Sequence, residues 1–312
     1  MTQVTAAMVK ALREQTGAGM MDVKSALTEA DGNMEEATKI LRKKGLAAAG
    51  KKAGRVTAEG AVQSYVGDGL GVLVEVNCET DFVGRNENFR HFAEEVAKVI
   101  AHSKADSVDA LNNEPWPGDA PDEDGQNVGQ HVLSMIGSIK ENIAIRRFVR
   151  YEGAANAVLS SYIHAGGKIG VLVELVATSG EKNARMNEIA KDVAMHIAAL
   201  EPRFVRRDEV TQKDLDTERE IARDAAAKSG KPENIIEKMV TGKMDKFYGE
   251  ACLLEQPYIR NDKQTVNDYL AASGKESGCA YTVTRFTRYK LGEGIEKKGG
   301  DDFAAEVAAF LK

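Results

Sequence analysis

Apolar side chains along this chain recur in two rhythms, and the switch between them divides it. Over residues 1–45 the spacing is helical. Thr5 stands as a cap for a first helix carrying Val4, Met8 and Leu12 and ending near Gly17. Val23, Ala26, Leu27 and Ala30 follow at i, i+3, i+4, i+7. Asp31-Gly32 turns the chain. Asn33, with Glu36 three residues on, reads as a capping box for a third helix through Met34, Ala37, Ile40 and Leu41. Three short helices in one compact module are expected. The run LAAAGKKAGRV at 46–56 is basic with small residues, and reads as a linker or as a helix that frays.

Farther on the rhythm becomes two, and it occurs twice. AVQSYVGDGLGVLVEV begins at Ala61 and AVLSSYIHAGGKIGVLVEL at Ala157. The copies share Ala-Val, Ser-Tyr, a glycine-rich turn and Gly-Val-Leu-Val-Glu. Each fits a β-hairpin whose second strand alternates as a half-buried strand does, with Val72, Val74 and Val76 on one face of the first and Val171, Val173 and Leu175 in the second. An amphipathic helix follows each, carrying Phe89, Phe92, Ala93, Val96 and Ile100, then Met186, Ile189, Ala190, Val193, Ala194 and Ile197. The expected fold class is α+β, with two related subdomains of sheet covered by helix.

The copies part where strand hands over to helix. In the second the junction is ATSGEKN, a plain polar turn at 177–183. In the first it is CETDFVGRNENF, Cys78 to Phe89, which places Asp81 and Phe82 where the chain should turn through solvent. The second copy manages without an aromatic, so the pair is an addition to the shared design. Two readings are open. Asp81 caps a turn while Phe82 folds onto the core, or the pair projects into another macromolecule, as anchors on rigidly mounted loops do.

Between the copies, ADSVDALNNEPWPGDAPDEDGQN reads as an exposed acidic loop whose Trp116 packs on the adjacent core. Residues 206–254 are charged, with a thin stripe of Leu215, Ile221, Ala222, Ala225 and Ala226 that SGKPEN interrupts and IIEKMV resumes. A helical hairpin too thinly apolar to be its own domain is expected, projecting and docking on a partner or a second copy. YTVTRFTRY at 281–289 alternates and suits a return to the second sheet. DDFAAEVAAF predicts a short helix with Phe303, Val307 and Phe310 on one side, which packs back or binds something.

Composition narrows the function. The 312 residues suffice for two or more cores, and 43% hydrophobic with 29% charged residues is ordinary for a soluble globular protein. A net charge of -6 argues against a phosphate-backbone partner. Cys78, Cys252 and Cys279 form no CxxC pair, which fits a reducing compartment, and MTQVTAAMVK reads as neither leader nor membrane span. A cytoplasmic protein is expected. Signals of catalysis are thin. Gly230-Lys231 is followed by Pro232 and Gly274-Lys275 by Glu276, so there is no P-loop. Gly67, Gly69 and Gly71 join two strands, whereas a dinucleotide fingerprint needs a strand-to-helix turn. No HExxH occurs; His196 reads as a packed histidine, His91 and His102 as solvated. Cys78 ends a strand with no identifiable base. No catalytic residue, metal or cofactor is assigned.

These segments carry a resemblance. LREQTGAGMMDVKSAL, VNCETDFVGRNENF, HAGGKIGVLVEL, GKPENIIEKMVTGKMDKFYGE and GEGIEKKGGDDFAAEV occur in order over nearly the whole chain, and the chain resembles the bacterial elongation factor Ts family. The resemblance implies a non-enzymatic guanine-nucleotide exchange factor for elongation factor Tu, the GTPase that delivers aminoacyl-tRNA. It implies a ubiquitin-associated-like helical module with its linker at 1–55, core subdomain one at 56–153, core subdomain two at 154–205 and 255–294, a protruding hairpin at 206–254 and a C-terminal helical module at 295–312. It further implies that Thr80, Asp81, Phe82 and Val83 form a wedge that dislocates the partner's Mg²⁺. Arg13, Met20 and Met21, and Phe303 and Val307 of the C-terminal helix, would reach the nucleotide domain. Ile139 would add a contact, and His164 would touch a distal domain. The hairpin mediates dimer contacts in some members. Nucleic acid and membrane are not among the implied partners. For Met20 and Met21 the plain alternative is that one of them packs inside the helical module. Two positions depart from the family pattern: Lys140 in SIKENI, where glycine is usual, and Ala165 after His164, where proline or glycine is common. Two other classes remain at this point. An adaptor binding through 1–45 would make Asp81-Phe82 dispensable. An enzyme at the glycine-rich hairpins would need a titrating base.

Overall fold

The computed structural model describes residues 4–117 and 126–296. Three helices open the chain: α1 (Ala6–Thr16), α2 (Met20–Glu29) and α3 (Met34–Lys52). Thr5 caps α1 by accepting the Met8 N–H, and Leu12, Val23, Ala26, Leu27 and Ala37 close a small core. Only half of the expected capping box forms at α3. Asn33 Oδ1 accepts the Glu36 N–H at 3.1 Å, but the Asn33 N–H donates to the Ala30 carbonyl instead. The basic run beyond residue 46 continues α3 to Lys52 rather than fraying, because Ala49 is buried in the next core and Gly45 lies against Gly137.

The first repeat forms β1 (Glu59–Gly67) and β2 (Leu70–Cys78), joined by Asp68-Gly69 with both φ angles positive (52° and 75°), the hairpin turn that suits twisted strands. A short turn of helix, α4 (Asp81–Gly84), leads to α5 (Glu87–His102), α6 (Val108–Leu111) and α7 (Val128–Ile139). Strand β3 (Ile143–Glu152) then pairs antiparallel with β2. The second repeat forms β4 (Ala157–His164) and β5 (Ile169–Ser179), followed by α8 (Arg185–Leu200). Helices α9 (Gln212–Ala227) and α10 (Glu233–Ala251) make the hairpin, with Pro232 just ahead of α10. The small β6 (Pro257–Tyr258) and β7 (Asn261–Thr265), then α11 (Val266–Ser277), lead to β8 (Ala280–Lys290). YTVTRFTRY does rejoin the second sheet, whose order is β4-β5-β8 beside β1-β2-β3 in the first. The fold is α+β.

The strands differ from the half-buried expectation. Every residue of β2 from Gly71 to Cys78 is buried, and β5 is buried from Gly170 to Leu175. The cause is that the two sheets lie back to back. Helix α5 covers the outer face of β1 and β2, α8 that of β4 and β5, and the inner faces meet each other. Val62, Leu73, Tyr151 and Leu172 fill the seam. Gly71 and Gly170 permit the approach: a Cβ at Gly170 would stand 2.4 Å from Val62 and one at Gly71 2.9 Å from Leu172.

The repeat also extends farther than the two-strand pattern. Arg147-Phe148-Val149-Arg150-Tyr151 on β3 and Arg285-Phe286-Thr287-Arg288-Tyr289 on β8 sit in matching registers, Phe148 against Val74 and Phe286 against Val173. Their ends interlock across the seam. Arg147 lies over the Tyr289 ring at 4.2 Å, Arg285 over the Tyr151 ring at 4.1 Å, and the Tyr151 hydroxyl meets that of Thr287 at 2.8 Å. In both copies the buried glutamate of Val-Leu-Val-Glu pairs with the arginine opposite it: Glu75 with Arg147 at 2.6 Å, Glu174 with Arg285 at 2.9 Å. Burial alone would raise the Glu75 carboxyl; the Gly292 N–H and the guanidinium groups of Arg146 and Arg147 outweigh it and hold the group below its ordinary value.

Other expectations meet the structure as follows. Trp116 is packed, stacked on His131 at 4.0 Å between rings, and His196 is fully buried against Gln256. His91 and His102 are exposed. In α9 only Ala222 and Ala226 are buried; Ile221 of the expected stripe faces solvent. Among the described residues no helix is long and apolar enough to cross a membrane. The expected C-terminal helix, with Phe303 and Val307, lies outside the described residues.

Candidate functional site

The chain after β2 turns through Thr80 into α4, and Phe82 leaves the protein there. Its side chain is 82% exposed, although it is a large apolar ring on a structured turn. The reading in which Phe82 folds onto the core is thereby overturned. Its neighbour Val83 does the packing, against the first core. Asp81 pairs with Arg85 at 2.9 Å, one turn along.

The turn is held firmly. Thr80 accepts the Val83 N–H at 3.4 Å as N-cap. Its own N–H and hydroxyl donate to the two carboxylate oxygens of Glu141, at 2.9 and 2.6 Å. Its carbonyl accepts the Cys78 thiol at 3.1 Å. Burial pushes that thiol up to about 12, with the nearby Glu141 adding to it, which leaves no nucleophile there. Gly84 comes so close to β1 that a Cβ would stand 2.8 Å from the Gly60 carbonyl oxygen. Arg90 clamps the far side, donating to the carbonyls of Gly84 (3.3 Å) and Gly166 (3.0 Å), and so ties the turn to the tip of the β4–β5 hairpin.

That tip carries His164, exposed, with its Nδ1 3.0 Å from the Tyr162 hydroxyl. Arg13 is exposed on α1. Met20 and Met21 are 57% and 76% exposed at the start of α2, so neither packs inside the helical module. Ile139, at the end of α7, is half-buried against the first core. The helical module meets this core through α3 on α7, where a Cβ at Gly137 would stand 2.9 Å from the Gly45 Cα. Lys140 follows α7 in the left-handed region, φ 69°, and pairs with Asp22 of α2 at 2.8 Å. Thus the structure places Phe82, Met20 and Met21 as exposed apolar groups on elements joined to one core. Sequence reasoning missed Glu141 and Arg90, whose partners are 61 and 76 residues distant. Among the described residues no three His, Cys, Asp or Glu side chains converge to hold a metal ion.

The family model for elongation factor Ts matches residues 79–293, from the residue before the Thr80 cap to just past the end of β8. The chain belongs to the elongation factor Ts family. The curated elongation factor Ts of Syntrophotalea carbinolica is 49% identical over 310 residues, covering 99% of this chain and all of that protein. Those of Magnetococcus marinus (48%, 99% of each chain) and Clostridium perfringens (46%, 98% of each) are similar over the same extent. Membership makes this chain a guanine-nucleotide exchange factor of translation elongation.

Proposed function

We propose that the chain promotes GDP release from elongation factor Tu by inserting Phe82, with Asp81 beside it, near that GTPase's Mg²⁺ site. The observation that carries the reading is the exposed ring on a turn held at Thr80, Val83 and Gly84. Exposing a phenyl ring to water is unfavourable by about 1.5–3 kcal/mol relative to burying it. Binding to a partner recovers that energy. Mg²⁺ tolerates little departure from octahedral geometry, so displacing its ligands weakens its hold on the phosphates and the nucleotide leaves.

The magnitudes require a broad interface. Weakening a nucleotide from nanomolar to micromolar affinity takes about 4 kcal/mol of coupling. By reciprocity the nucleotide weakens factor binding equally. One ring cannot carry that alone. We therefore assign supporting contacts to Arg13, Met20 and Met21 on the nucleotide domain, to Ile139, to His164 on a distal domain, and to Phe303 and Val307. Methionine suits such a surface because it adapts its shape. Thr80 and Val83 seat the wedge. In this reading the chain acts in the cytoplasm by protein contact, without nucleic acid or membrane, and the hairpin is a surface for a second copy.

The test is release of labelled GDP from elongation factor Tu in Mg²⁺ buffer, with the parent and with Phe82→Ala. The expected outcome is strong acceleration by the parent and at least a tenfold smaller one by the variant, the size of effect that truncating an aromatic anchor produces. Equal acceleration by both would move the mechanism to the surrounding contacts.

A further inference from the structure

Phe82 is too exposed for packing to aim it, so its direction is set by the backbone of α4 alone. That backbone is fixed at Thr80, and Thr80 is fixed from outside its own segment. Beyond the last ladder pair, Cys78 opposite Ile143, the two chain segments are joined by a reciprocal pair of carboxylates. Glu79 accepts the Asn142 N–H at 2.6 Å, and Glu141 accepts the Thr80 N–H and hydroxyl. Glu79 is backed by Arg55 at 3.3 Å, and the Asn142 amide donates to the Arg55 carbonyl at 3.0 Å. Glu141 itself follows Lys140, whose N–H closes α7 on the Ile136 carbonyl and whose ammonium holds Asp22.

We infer that Glu141 is a positioning residue for exchange: it presets the Thr80 cap, and through it the direction of Phe82, before any partner arrives. The inference rests on the proposed insertion of Phe82. Ordering the turn in advance removes that entropy from the binding step, which is how a rigid loop gains effective affinity. Of the groups around the wedge, Glu141 alone takes two donors of the cap residue at once. Glu141 reaches Thr80 from the short segment between α7 and β3.

The test compares GDP release driven by the parent, Glu141→Ala, Phe82→Ala and the double variant, with hydrogen exchange of the free proteins alongside. Loss of two charge-assisted bonds predicts a decrease of about tenfold for Glu141→Ala. In the Phe82→Ala background the same change is expected to cost nothing further, since there is no ring left to aim. The Thr80 and Val83 amides are expected to exchange faster in Glu141→Ala, while those of Leu73 to Val76 stay as in the parent. Glu141→Gln, with one oxygen left to accept, falls between and serves if the alanine variant does not fold. Undiminished release by Glu141→Ala would overturn the inference. So would an equal loss in both backgrounds, which marks a direct or purely structural role, and so would unchanged amide exchange. Failure of the insertion reading is separate: it appears as parental release by Phe82→Ala.

Discussion

Lys140 and Ala165, the two departures from the family pattern, share one backbone property. Their φ values are 69° and 50°, in the left-handed region that L residues other than glycine avoid. Occupying it costs a residue with a Cβ about 1–2 kcal/mol, and glycine's extra freedom when unfolded returns about 0.4–1. Ala165→Gly is therefore expected to raise stability by about 0.5 kcal/mol. Lys140→Gly also forfeits the exposed pair with Asp22, worth about 0–1 kcal/mol, and is expected to be neutral. Urea unfolding of the two variants checks the difference. His131 supplies a pH prediction. Burial beside Trp116 and Phe92 pulls it from an ordinary 6.5 to about 4. The unfolded chain then binds the extra proton first, so the contribution to stability is whole above about pH 6.5 and shrinks as pH falls toward 4. Between pH 7 and pH 5 the parent should lose about 2 kcal/mol more than His131→Gln, read from paired urea curves at the two pH values.

The sequence made Phe82 legible because it contains its own control. The second repeat turns the same corner with ATSGEKN, so the ring could be recognised as surplus to the fold. Glu141 was not legible. Nothing local distinguishes a glutamate in SIKENI, and its role exists only once the β2–β3 ladder brings residue 141 beside residue 80. The exposure of Met20 and Met21 was equally open until α2 showed which face it buries.

At the scale of elements, the hairpins and their covering helices followed from period and from the repeat. Strand β3 did not, because Arg146-Arg147 interrupts the alternation of IAIRRFVRY. Two adjacent arginines make sense in a strand only with a buried carboxylate opposite, and Glu75 is that carboxylate. The matched pairs also make an internal comparison. Glu75 is fully buried, held by Arg146, Arg147 and the Gly292 N–H, whereas Glu174 pairs with the more exposed Arg285 and the Thr284 hydroxyl. Removing one member of a buried pair costs about 3–5 kcal/mol. Glu75→Gln is expected at about 3 kcal/mol and Glu174→Gln at less than half of that, measured as the change in unfolding free energy in urea.

At the scale of the whole molecule, the four layers from α5 through two sheets to α8 concentrate burial in one place, and the hairpin stands outside it. Helices α9 and α10 bury few apolar side chains: Ala222, Ala226, Ile236, Met244 and Ala251. Local stability follows such burial. Amides of α9 and α10 away from the hairpin's base are expected to exchange with solvent at least a hundredfold faster than those of β2 and β5, a gap of about 3 kcal/mol in opening energy. Exchange mass spectrometry of the free chain reads this directly, and equal protection would mean the hairpin is stabilised by something other than its own thin seam.

Arg90 joins the Phe82 turn to the His164 tip with a bond at each end. The span between those two points is therefore set by this protein and not by whatever it meets. A calliper locked at one opening does not adjust to the object. It sorts the shapes offered to it, keeping those whose two marks lie the right distance apart and releasing the rest. A partner able to adopt more than one shape would be drawn toward the one that fits such a gauge.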